Sequence, residues 1–127
     1  GGTAAGLILG AARYGIASSV RPMAVCDDAA YFQAIVDRIS AEATERWPDL
    51  PRVHADEVRV VEGYKGRGYG LSTAEEAADI ESVARASGLI LDPVYTGKAF
   101  RALLHEPERF GSTPLFIHTG GIFGLLA

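Results

Sequence analysis

Apolar positions change their period several times along this chain, and each change marks an element. Between Ala29 and Trp47 they recur at Phe32, Ile35, Val36 and Ile39, which is helical spacing, while Asp37, Arg38, Glu42, Glu45 and Arg46 fall on the opposite face. Asp27 or Asp28 caps this helix, and Pro48 and Pro51 close it. A second helix is predicted from Ser72 or Thr73, with Glu75 and Glu76 in its first turn, to Ser87 before Gly88. A third runs from about Gly97 to His105 and stops at Pro107. The small-residue run from Ala4 to Gly15 reads as a buried helix, with Thr3 as N-cap and Gly15 as its stop. Between these lie apolar runs of strand length: Val20 to Cys26, Val58 to Val61, Gly88 to Leu91 and Thr113 to His118. Pro22 is tolerable near a strand start, and Pro93 ends the third run. Strand and helix alternate throughout. The fold class expected is therefore α/β: an open, mostly parallel twisted sheet with helices on both faces, one domain over residues 1–127.

In such a sheet the strand-to-helix turns share one edge, and polar groups distant in sequence converge there. Three of these turns carry glycine with threonine or tyrosine: Gly1-Gly2-Thr3, Tyr95-Thr96-Gly97 and Thr119-Gly120-Gly121. A fourth stretch, Glu62 to Gly70, holds four glycines and two tyrosines in a close-packed loop. Glycines ahead of a helix form an anion site from backbone N–H groups and the helix dipole. The set is rich in hydroxyls and donors and poor in carboxylates, so it favours a phosphate-bearing cofactor over a metal or a carboxylate-pair hydrolase. The plainer alternative for residues 91–99 is an ordinary turn in which Asp92 caps the next helix.

The totals narrow the partners. A formal net charge of -4 without a basic patch argues against nucleic acid. The apolar runs are too short to span a bilayer, and the glycine-led start lacks the charged region of a secretory signal. Cys26 is the single cysteine, which excludes an internal disulfide and a thiolate cage and fits a reducing, cytoplasmic setting. No metal site is expected, since Asp27-Asp28 reads as a cap. Of the histidines, His118 precedes a glycine turn and reads as a satisfied residue, while His54 and His105 read as surface positions. Lysine occurs only at Lys65 and Lys98, so any lysine chemistry must use one of them or come from elsewhere.

Four motifs, in order, carry a resemblance: Gly2-Thr3-Ala4-Ala5-Gly6-Leu7; Gly63-Tyr64 followed by Gly68-Tyr69-Gly70; Asp92-Pro93-Val94-Tyr95-Thr96-Gly97-Lys98-Ala99; and Phe116-Ile117-His118-Thr119-Gly120-Gly121. Together they resemble the D-cysteine desulfhydrase and 1-aminocyclopropane-1-carboxylate deaminase family, which are pyridoxal 5'-phosphate lyases of the tryptophan-synthase-beta fold type. The family chain is two to three times longer, so the resemblance implies a C-terminal portion. It further implies that Gly1, Gly2 and Thr3 hold the cofactor phosphate, that Tyr69 and Tyr95 are the catalytic tyrosines, and that Thr96, with Gly97, faces the pyridine nitrogen. Thr119 and Gly120 would line the cofactor pocket. The Schiff-base lysine belongs to the family's N-terminal portion, and Lys98 is not that lysine, so this piece alone is expected to be inactive. The complete enzyme is expected to be a homodimer acting on a small amino acid. Lys65 and Arg67 are bulkier than the family's loop leads one to expect.

Three functions compete. The first is β-elimination from D-cysteine or a similar amino acid. The second is ring opening by a deaminase of the same family, in which a glutamate takes the place of Thr96. The third is a non-catalytic phosphate-binding α/β module. The neutral Thr96 favours the first.

Overall fold

Local chemistry sets the helices of the computed structural model, which describes residues 1–121 and 124. Four α-helices are found among them: α1 (Gly2–Arg13), α2 (Ala29–Arg46), α3 (Ala74–Ser87) and α4 (Thr96–His105). Short 3₁₀ turns occupy Ala55–Glu57 and Pro107–Phe110. The contacts divide the chain into two units, Gly1–Glu62 and Gly63–Ala127.

In the first unit α2 begins as expected. The Asp28 carboxylate accepts from the Tyr31 amide at 2.8 Å, so Asp28 caps the helix. α1 starts two residues earlier than the sequence suggests. Its N-cap is Gly1, and Thr3 lies inside the first turn. The earlier start gains the bond from the Ala5 amide to the Gly1 carbonyl, 3.0 Å, and glycine is an acceptable N-cap. At the other end Gly15 has φ +61°, and the Ile16 amide reaches back to the Ala11 carbonyl at 2.9 Å, which closes the helix. Ala5 and Leu9 of α1 pack with Val36 of α2 and with Val53 and Val58. The Ser40 hydroxyl accepts from the Val53 amide at 2.8 Å, so this buried polar group ties the following segment to α2.

The second unit is built on α3 and α4. α3 has a complete capping box: the Thr73 hydroxyl accepts from the Glu76 amide, and the Glu76 carboxylate accepts from the Thr73 amide at 2.7 Å. Gly88 ends it in the left-handed region, φ +74°. Among the described residues of this unit Val83, Leu91 and Ala102 are the buried apolar ones, and Glu76, Asp92, Thr96 and Lys98 are buried with them.

The expected open, mostly parallel twisted sheet is not present among the described residues. Of the runs 20–26 and 58–61, only Met23 and Val61 form one parallel bridge, with Ala24 donating to the Val61 carbonyl and Val61 to the Pro22 carbonyl, both at 2.8 Å. The runs 88–91 and 113–118 make no ladder. They meet through the His118 ring, 2.9 Å from the Ile90 carbonyl. The physical reason is that a parallel strand needs backbone neighbours along its length, and one bridge does not replace a ladder. Apolar runs of strand length carry the composition of strands without the partners that make them strands.

Candidate active site

Asp92 organises the second unit. One carboxylate oxygen accepts from the Val94 and Tyr95 amides at 2.8 and 2.7 Å. The other accepts from the Thr96 amide at 2.8 Å and from the Thr96 hydroxyl. The Thr96 hydroxyl in turn accepts from the Asp92 amide at 2.9 Å. This satisfies the start of α4, whose own N-cap residue, Tyr95, supplies no side-chain cap. Burial pulls the Asp92 carboxyl up, but the hydrogen bonds from Thr96, Tyr95 and Val94 outweigh it and hold it below the ordinary aspartate value. Gly97 is required here. A Cβ would lie 2.7 Å from the Asp92 carbonyl and 2.7 Å from Ile80, and the Gly97 amide donates to that same carbonyl at 2.8 Å. Gly121 is also pressed against this group, since a Cβ there would lie 2.5 Å from the Asp92 carboxylate.

The depressed Asp92 carboxyl fixes a pH dependence. A carboxyl with a folded value below its unfolded value of ~3.9 contributes its full stability above that value and loses it as pH falls through the folded one. Urea midpoints are expected to stay level from pH 7 to about pH 5 and to fall steeply below about pH 4. An Asp92→Asn variant should show a shallower acid decline.

The two tyrosines singled out by sequence meet. The Tyr69 and Tyr95 hydroxyls are 2.6 Å apart, and their rings meet edge to face with centroids 5.7 Å apart. Tyr69 is 62% exposed and Tyr95 42% exposed, so this pair lies at the surface of its unit, where a ligand can reach it. Thr96 and Gly97 are beside Tyr95 but turned inward and buried. Thr119 and Gly120 are exposed on the turn that follows His118. The Gly120 amide donates to His118 Nδ1 at 3.2 Å, so Nδ1 is the acceptor and Nε2–H donates to Ile90. That turn is thereby fixed beside the segment that leads into Asp92. Tyr69, Tyr95, Thr96, Gly97, Thr119 and Gly120 thus all belong to the second unit. Gly1, Gly2 and Thr3 belong to the first, where they are exposed at the start of α1 with no side-chain cap, and nothing lies within 4 Å of a Cβ placed on Gly2.

Sequence reasoning missed two arrangements. Lys98 is 1% exposed, and its ammonium donates to the carbonyls of Lys65 and Gly68 at 2.8 and 2.6 Å. One signal was available: a lysine in the first turn of a helix is misplaced for the dipole unless something else holds it. The second is a charged cluster on α3 and α4. Arg101 bonds to Asp79 at 2.6 Å and Glu75 at 2.9 Å, and His105 bonds to Asp79 at 2.8 Å. Glu75, Asp79 and His105 are close enough to share a cation, but Arg101 already supplies positive charge to both carboxylates.

These residues can be set against a pyridoxal phosphate group. Uncapped amides and an open glycine at the start of α1 suit its phosphate. The exposed phenols suit the polar groups of an amino acid. Thr96 does not suit the part of a donor to a ring nitrogen, since its proton is committed to Asp92. Its remaining lone pair can only accept.

Comparison with known proteins gives relatives along nearly the whole chain. It is 39% identical to the bifunctional D-cysteine desulfhydrase/1-aminocyclopropane-1-carboxylate deaminase, mitochondrial, of Arabidopsis thaliana over 98% of its own residues and 31% of that protein. It is 48% identical to the D-cysteine desulfhydrase of Yersinia pestis over 46% of its own residues and 19% of that protein. The matched part is the C-terminal part of these relatives, and the chain spans less than a third of the Arabidopsis protein. No family model matches. No helix among the described residues is long and apolar enough to cross a membrane.

Proposed function

Because this chain belongs to the D-cysteine desulfhydrase and 1-aminocyclopropane-1-carboxylate deaminase family, we propose that it is the C-terminal, cofactor-binding part of a pyridoxal-phosphate lyase. The reaction proposed is β-elimination from D-cysteine or a similar small amino acid, giving pyruvate, ammonia and sulfide. The observation that carries it is the Tyr69–Tyr95 hydroxyl contact of 2.6 Å, between two phenols exposed on their unit.

When bound, pyridoxal phosphate supplies the electron sink that makes the substrate Cα–H acidic. Gly1, Gly2 and Thr3 would hold its phosphate through the amides and hydroxyl at the start of α1. Thr119 and Gly120 would line its pocket, with Thr96 and Gly97 beneath Tyr95. Tyr69 and Tyr95 would orient the substrate carboxylate and move a proton at a phenolic oxygen. Either phenol can be the donor in their shared bond, so its direction can reverse as a proton arrives or leaves.

The Arabidopsis and Yersinia relatives are both named for D-cysteine desulfhydration, which supports elimination over ring opening. Thr96, expected to favour elimination as a neutral donor to the ring nitrogen, does not carry that argument, because its proton is held by the Asp92 carboxylate. A thiolate departs readily and asks less of the electron sink than an unactivated ring. The deaminase remains the second reading, because the Arabidopsis relative is named for both activities. In the complete protein, an open parallel sheet would supply the neighbours that the four apolar runs lack. The proposed setting is cytoplasmic and the proposed assembly a homodimer. By itself this piece is inactive in this reading. Its Lys98 is buried with its ammonium donating to two carbonyls, which is not the state of an amine nucleophile. The test is made on the complete enzyme with its cofactor. Pyruvate should form faster from D-cysteine than from 1-aminocyclopropane-1-carboxylate, and the opposite order would reject the assignment.

A further inference from the structure

The loop that carries Tyr69 has little stiffness of its own. Gly63, Gly66, Gly68 and Gly70 all have positive φ, from +63° to +133°, and two of them flank Tyr69 directly. Glycine imposes little on the backbone, so a loop of this kind must be held from outside. Besides the Tyr69–Tyr95 bond itself, three contacts hold it among the described residues. The Tyr64 hydroxyl donates to Glu106 at 2.8 Å. Gly66 lies so close to the buried Glu76 carboxylate that no side chain would fit. Lys98 donates to the carbonyls of Lys65 and Gly68.

The Lys98 contact differs from the others in what it fixes. The Gly68 carbonyl belongs to the peptide plane that leads into Tyr69, so holding it at 2.6 Å sets where the Tyr69 side chain departs. Lys98 also stands three residues beyond Tyr95, in the first turn of the same helix. One ammonium therefore indexes the loop tyrosine to the helix tyrosine. Its burial needs a reason. Among the described residues Lys98 makes no ion pair with a carboxylate, and a cation in the first turn of a helix opposes the dipole. Charge-assisted bonds to two carbonyls are what offset both costs.

We propose that Lys98 is a positioning residue of this enzyme: it clamps the Lys65 and Gly68 carbonyls and so keeps Tyr69 against Tyr95. This rests on the reading of the two tyrosines as the working pair. The alternative is a brace that supports the fold without acting through Tyr69.

The loop contains its own reporter. Trypsin must attack the Lys65 carbonyl, the atom that Lys98 covers. In the complete holoenzyme, Lys98→Met should raise the rate of cleavage between Lys65 and Gly66 by roughly tenfold or more, because proteolysis follows the open population. Lys98→Arg, which keeps cation and donors, should restore slow cleavage. The kinetic arm is a double-mutant cycle. Lys98→Met should lower kcat roughly tenfold in the wild-type background, but by less than about twofold once Tyr69→Phe is present, because the two then act on one function. If Lys98→Met does not fold, Lys98→Gln takes its place in both arms. Unchanged cleavage would overturn the clamp. An undiminished loss of kcat on top of Tyr69→Phe would overturn the positioning role and leave a brace. Wild-type turnover in Tyr69→Phe alone would instead reject the reading of the tyrosines, while the cleavage arm would still decide whether Lys98 holds the loop.

Discussion

Asp92→Ala is expected to cost the second unit roughly 2–5 kcal/mol, since buried donors that lose their acceptor carry the full desolvation penalty. Four hydrogen bonds end on the Asp92 carboxylate. The Thr96 amide and hydroxyl are buried, and water cannot easily replace the acceptor they would lose. The loss would also reach the chemistry. The start of α4, with Tyr95 and Lys98, is shaped by these bonds, and the turn at Gly121 packs on the same carboxylate. Asp92→Asn keeps the shape but brings an NH₂ group to a place that receives only donors, so it should recover part of the stability and not all of it. Chemical denaturation of the three proteins at pH 7 checks the order: wild type, then Asn, then Ala. Equal midpoints for all three would show that Asp92 is not the anchor of this unit.

The tyrosines are expected to show the opposite balance, a large loss of rate with little loss of stability. In the complete enzyme, Tyr69→Phe or Tyr95→Phe removes one oxygen from a pair that is half-exposed, so the stability cost should stay within about 1 kcal/mol. A phenol that places or moves a proton in the rate-limiting step is worth about 10²-fold or more. Each hydroxyl depends on the other for its orientation, so the double variant should fall little further than the worse single one. Measuring kcat and thermal midpoint together separates the two effects. Wild-type rates in both single variants would remove the pair from the mechanism.

The features legible in sequence were those written locally. Asp28 before α2, Thr73 with Glu76 at the start of α3, and Gly88 at its end each act within a few residues, and each is found where the pattern puts it. The strand runs were not legible in this sense. Val20 to Cys26 and Gly88 to Leu91 have suitable side chains, but a strand is defined by a neighbour, and sequence does not show which neighbour is at hand. The start of α1 was missed by two residues because Thr3 looks like a cap while Gly1 serves as one. The tyrosine pair was legible through the family resemblance, which sets Tyr69 and Tyr95 at one site. Asp92 was readable as a cap, but its hold on the Thr96 hydroxyl was not, and that bond changes what Thr96 can offer a ligand. The position of Lys98 signals that something must hold it, but its partners were not legible: they lie 33 and 30 residues away, in a loop whose backbone, not its side chains, receives the charge.

The most direct measurement is a crystal structure of the complete enzyme with its cofactor and D-alanine, an amino acid with no leaving group on Cβ. The expected result is a carboxylate or amino group of D-alanine within about 3.2 Å of the Tyr69 or Tyr95 hydroxyl. A bound D-alanine with neither phenol in hydrogen-bonding reach would contradict the assignment of this pair to the active site.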